Sequence, residues 1–166
     1  ANLSSHKRGW DERWQEFSEW AVRGKACHDR LLSLVDEDTA AFNRIMDAFG
    51  LPKGSAEEQA ERTEAIQAAT RGAIDVPLEV MEAALESMVI IAAMAEHGLP
   101  ASASDAGVGA LCARSAVFGA GLNVAINAKD LADGAAADAY RDRARKLEVR
   151  AQEEETRILE LVRGRL

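Results

Sequence analysis

Three carboxylates stand within LVDEDTAAFNRIM, residues 34–46, a stretch otherwise built like the apolar side of a helix by Leu34, Val35, Phe42, Ile45 and Met46. A carboxylate becomes a proton carrier near neutral pH when apolar surroundings raise its pKa, so the question is which of Asp36, Glu37 and Asp38 has such surroundings. Alternating steps of four and three from Trp10 pass through Trp14, Phe17, Ala21, Gly24, His28, Leu31, Val35, Asp38, Phe42, Ile45 and Phe49. That stripe is one face of one long helix, with Asp38 on it and Asp36 and Glu37 pointing away. Asp38 is therefore the candidate proton carrier. The competing reading is a stripe that opens onto water there, or an arginine that neutralises the acid.

Other chemistry-bearing residues are sparser. His28 shares the stripe but lies ten residues from Asp38, about 15 Å along a helix, too far for a direct pair. With His6 and His97 near helix ends, the three histidines form no metal-ligand spacing, and no metal is expected. SASDAGVGA, residues 102–110, places Ser104 and Asp105 with small residues at a helix start, where free amides suit a carboxylate or carbonyl of a ligand. A capped helix packed tightly on a neighbour has the same composition. Asn123 and Asn127 are an i, i+4 pair of amides in apolar surroundings, matched either to a polar heterocycle or to interhelical hydrogen bonds. Lys7, Arg8 and Lys129 are candidate partners for an anionic tail. No phosphate loop, Cys-His dyad, GxSxG elbow or HExxH is present, so any chemistry rests on acid-base groups.

These residues must be positioned by helices. Aromatics are 5% of the chain and only three prolines occur, a composition that favours an all-α domain. The first long helix is expected to end with Gly50 as cap and Pro52 as stop. Ser55 with Glu58 forms a capping box for the next helix, in which Pro77 predicts a kink or break before the pattern continues to Gly98. Ser102 and Asp105 fit a capping signature for a helix rich in glycine and alanine. LNVAINAKDL, residues 122–131, is its end or a short separate helix. A charged helix from about Asp133 to Arg163 has Tyr140, Leu147, Ile158, Leu161 and Val162 as its apolar side. The expectation is an antiparallel bundle of four to five long helices in one domain, residues 1–166, with apolar surface left for a homodimer.

Charge and length set further bounds. At 166 residues the chain supports one core, and its formal net charge of -8 argues against a nucleic-acid surface. The longest uninterrupted apolar run, residues 88–95, is far short of the ~20 residues of a membrane span. Cys27 and Cys112 lie on separate helical patterns and read as buried thiols in a reducing compartment. The expectation is a soluble cytoplasmic protein without membrane partners.

Several stretches in order, LLSLVDEDTAAFNRIMDAFGLPK, EEQAERTEAIQAA, AIDVPLEVMEAALE and MAEHGLPASASDAGVGALCARSAVFGAGLNVAINAKDL, resemble the formiminotetrahydrofolate cyclodeaminase and methenyltetrahydrofolate cyclohydrolase family. The resemblance covers nearly the whole chain and is weakest in the last helix. It implies an all-helical, dimeric, metal-independent enzyme of folate one-carbon metabolism, needing no cofactor beyond its tetrahydrofolate substrate. In that family the second aspartate of LVDxDxxAF carries the cyclodeaminase activity, a role that falls on Asp38. Members also carry an earlier helix behind a turn of the PTPGGGS kind, and this sequence starts just after it.

The resemblance implies that 5-formiminotetrahydrofolate closes to 5,10-methenyltetrahydrofolate with loss of ammonia. Asp38 would move the proton, while Asn123, Asn127, Ser104 and Asp105 hold the pterin or the reacting arm and Lys7 the anionic tail. The sibling reaction, hydrolysis of 5,10-methenyltetrahydrofolate to 10-formyltetrahydrofolate, fits the same residues. A folate-binding or helical interaction module without turnover is the third reading.

Overall fold

The computed structural model describes residues 1, 4 and 11–166, and among them it contains helices and turns but no strand. Four long helices carry the fold: α1, Trp14–Gly50, α2, Ala56–His97, α3, Ala103–Asn127, and α4, Gly134–Arg163. Single turns of 3-10 helix at Asp11–Arg13, Pro100–Ser102 and Ala128–Asp130 precede α1 and flank α3.

Cross-contacts fix the directions of the helices. Arg62 at the start of α2 donates to the Phe49 carbonyl at the end of α1, and Arg30 of α1 pairs with Glu79 of α2. Gln67 reaches the Asp130 carbonyl and the Ala132 amide, so α2 and α3 also run antiparallel. Arg141 near the start of α4 donates to the Ala128 carbonyl just beyond α3. The result is an up-down-up-down bundle, in agreement with the pattern of the sequence.

α2 is the central element. Its residues Ile74, Leu78, Met81 and Met88 are essentially inaccessible, and with Val117 and Val124 of α3 and Ile158 of α4 they form the main core. α3 comes close where its contact face is small: a methyl group at Gly121 would sit 3.3 Å from the Met81 side chain of α2, tighter than ordinary contact. α1 leans mainly on α2, through a separate cluster of Leu34, Ala41, Ala73 and Val76.

Several expectations change. The buried residues of α1 are Phe17, Cys27, Leu34, Ala41 and Ala48, whereas Val35 (63% exposed), Phe42 (61%) and Phe49 (51%) of the predicted stripe face outward. Phe17 and Leu34 are buried alongside small residues, while these three large side chains are not. Gly50 is the last helical residue of α1 and Leu51 forms the extended cap. Pro77 does not break α2, which is one helix of 42 residues. The Ser55–Glu58 capping box forms in both directions, but Ser102 makes no side-chain cap because a 3-10 turn leads into α3. Asp133 caps α4 through the Ala135 and Ala136 amides. Of the two free thiols Cys27 is buried and Cys112 is exposed, so only the first matches expectation. The span from Pro100 to Asp130 is long and apolar enough to cross a membrane by composition, a property hidden from a search for uninterrupted apolar runs. Ala106, Ala110, Ala113 and Ala120 of this span join the main core, while Val108, Leu111, Leu122 and Ile126 are exposed.

Candidate functional site

α1, α2 and α3 together line an open groove of about 380 Å³. α1 contributes Leu31, Leu34, Val35, Asp38 and Thr39, α2 contributes Pro77 and Val80, and α3 contributes Ala116, Ala120 and Asn123. On α3 the spacing of four and three puts two alanines and an amide on one face, which leaves room above them. Asp38 is exposed at this groove rather than sunk in the core, because the packed face of α1 lies beside the predicted stripe. Thr39 turns its hydroxyl back to the Val35 carbonyl at 3.2 Å. The groove is thus apolar on its walls, with a carboxylate from one helix and an amide from another as its polar groups.

The neighbouring acid behaves differently. Glu37, half-buried, is gripped by Arg30, which lies two turns earlier on α1 and also reaches Glu79 of α2. The hydrogen bonds from Arg30 hold the Glu37 carboxyl below the usual carboxylate range, and those of Glu37 and then Glu79 push the guanidinium up. This clamp joins α1 to α2 just below Leu31. Sequence reasoning missed it, although the seven-residue spacing of Arg30 and Glu37 places both on one face.

The other candidates separate. Asn127 is half-buried, and its side-chain nitrogen donates to the Ala73 carbonyl of α2 at 2.8 Å. Ser104 and Asp105 are exposed at the opposite end of α3, and Asp105, the nearer, is eighteen residues and about 27 Å from Asn123. Asp105 lines a different pocket, of about 260 Å³, with Ile90, Met94 and Leu99. Lys7, His6 and Arg8 lie outside the described residues. His28 is exposed and bonded to Asp29, away from the groove. Among the described residues, no three His, Cys, Asp or Glu side chains assemble to hold a metal. Thr39, Val80, Ala116 and Ala120 are groove residues that the sequence reading did not single out, and their only signal is register with Asp38 and Asn123.

An all-helical chain with a carboxylate and an amide facing one apolar groove defines the class of site. The family described as formiminotransferase-cyclodeaminase matches residues 1–146, and this chain belongs to it. Methenyltetrahydrofolate cyclohydrolase of Methylorubrum extorquens is 35% identical over 137 residues, 82% of this chain and 66% of that protein. Formimidoyltransferase-cyclodeaminase of Gallus gallus is 39% identical over 105 residues, 63% of this chain and 19% of that protein. The chain therefore spans less than two thirds of the length of these curated relatives. Its fold is that of formiminotetrahydrofolate cyclodeaminase from Thermotoga maritima, whose crystal structure superposes with a TM-score of 0.83 at 22% identity, covering 98% of this chain and 77% of that one.

Proposed function

We propose that this chain is an enzyme of folate one-carbon metabolism that converts 5-formiminotetrahydrofolate to 5,10-methenyltetrahydrofolate and ammonia in the groove between α1, α2 and α3. The observation that carries the reading is Asp38, which lines an apolar groove opposite an amide in a chain of this family. N10 of the substrate attacks the formimino carbon, a five-membered ring closes, and the carbon to ammonia bond breaks. Asp38 takes the proton released by N10 and returns it to the departing nitrogen, so the carboxylate is regenerated. Its negative charge also favours the cationic product. Holding both nitrogens of one substrate in line supplies the remaining acceleration. Asn123 holds the pterin edge by hydrogen bonds. Ser104 and Asp105, about 27 Å or more along α3 from Asn123, lie outside this groove and do not hold the same part of the substrate. Lys7 is kept as a partner for the anionic tail, and Asn127 can offer a ligand its carbonyl oxygen while its nitrogen stays on Ala73.

A second reading has its own support. The Methylorubrum relative, matched over 66% of its length against 19% for the Gallus protein, is named a cyclohydrolase. Addition of water to the methenyl carbon passes through the same tetrahedral centre and needs the same proton carrier. The methenyltetrahydrofolate absorbance band distinguishes the two: growth of the band from formiminotetrahydrofolate supports the first, and accelerated loss of the band from methenyltetrahydrofolate supports the second. Asp38→Asn is expected to slow the active reaction by about 10²-fold or more. A folded variant within a few-fold of the parent would exclude Asp38 as proton carrier.

The proposal includes a homodimer in the cytoplasm. Val35, Phe42 and Met46 of α1 and Leu122 (73% exposed) and Ile126 of α3 leave two helices with outward apolar side chains, which a second copy would cover. The two unbridged cysteines suit a reducing compartment.

A further inference from the structure

Pro77 has no amide hydrogen, so in a continuous α2 the carbonyl of Ala73, four residues earlier, loses its helical partner. α2 is nonetheless unbroken from Ala56 to His97, and the Ala73 carbonyl accepts the side-chain amide of Asn127 from α3 instead. Any residue other than proline at this position would let α2 close its own bond. Proline makes the interhelical bond the one that satisfies this carbonyl.

The bond lies one helical turn from groove residues on both helices. Pro77 is buried and lines the groove, Ala73 belongs to the cluster that seats Leu34 of α1, and Asn123 precedes Asn127 by one turn of α3. Residues four apart on a helix differ in direction by only about 40°, so fixing the orientation of Asn127 also fixes that of Asn123. We propose that Asn127 is a positioning residue: it stands in for the amide that Pro77 lacks, and this latch sets the rotation of α3 so that Asn123 faces the groove shared with Asp38. The functional meaning rests on the groove being the reacting site, but the latch itself does not.

Four proteins test it: the parent, Asn127→Leu, Pro77→Ala and the double variant. Chemical unfolding is expected to show Asn127→Leu raising the unfolding constant roughly tenfold or more, the effect of stranding a buried carbonyl. In the Pro77→Ala background the same substitution is expected to change it by less than about threefold, because the helix then bonds its own carbonyl. The side-chain amide resonance of Asn123 is expected to move in Asn127→Leu and to stay displaced in the double variant although stability returns. An equal cost of Asn127→Leu in both backgrounds would overturn the substitution for the proline amide. An Asn123 resonance that never moves, or that returns with stability, would overturn the positioning role. If Asn127→Leu fails to fold while the double variant folds, the substitution role is supported and the Asn123 resonance of the double variant decides the other. Neither readout needs turnover, so a parent protein inactive toward both folates would remove the proposed activity and leave the latch standing or falling on its own.

Discussion

Asn123 offers both a donor and an acceptor to the groove, whereas Asp38 offers one exchangeable proton site, so their substitutions should separate kinetically. Asn123→Ala is expected to raise KM by about tenfold with a smaller change in kcat, the loss of one to two hydrogen bonds to bound substrate. Initial rates at several folate concentrations check this, and a fall in kcat alone would move Asn123 from binding to chemistry. Cys27 gives a second expectation at this scale. Burial pushes its thiol up, as does the nearby Glu86 charge, so it should resist alkylation in the native protein and react on unfolding. Mass spectrometry after timed alkylation reads this directly. The sequence singled out Asp38 as an acid on a core-facing stripe, and that reason does not hold: Val35 and Phe42 of the stripe line the outside of α1 and Asp38 is exposed beside them.

At the level of the helices, most boundaries were written in local chemistry. The Ser55–Glu58 box and the Asp133 cap satisfy amides that no tertiary contact is needed to predict. Continuity through Pro77 was not legible, since it depends on a donor fifty residues later in the chain. Nor was the buried side of α1, because hydrophobic size drew attention to Phe42 and Phe49 while packing chose Cys27, Ala41 and Ala48. Gly98 ends α2 where a methyl group would stand 2.5 Å from the Met94 carbonyl oxygen, a backbone atom. Arg165 also holds the Gly98 and Ala95 carbonyls, so the chain has little room to yield. Gly98→Ala is expected to cost about 1–3 kcal/mol, read from the denaturant midpoint. The Arg30 clamp predicts a pH effect. Because Glu37 has its carboxyl lowered in the folded chain, its contribution is present above the ordinary glutamate value of about 4.3 and is lost as pH falls through the folded value. Hydrogen exchange of α1 should therefore accelerate relative to α2 as the pH is taken below that range.

For the molecule as a whole, the outward apolar residues of α1 and α3 predict association. Sedimentation should find a dimer, and Leu122→Asp should shift it toward monomer while leaving helical content intact, since Leu122 touches no core. A parent that sediments as a monomer at high concentration would remove the dimer from the reading. The arrangement of α1 has one more consequence. The helix that carries Asp38 rests mainly on a single neighbour, through Leu34 and Ala41 set against Ala73 and Val76 and through arginine contacts at Arg30 and Arg62. Asp38, the proposed proton carrier, is thus mounted on the wall with the least internal bracing, and a second copy covering that wall would brace it. Specific activity should then fall on dilution faster than folate binding saturates, and return when a crowded solution restores contact between chains: the catalyst would be switched on by its own abundance.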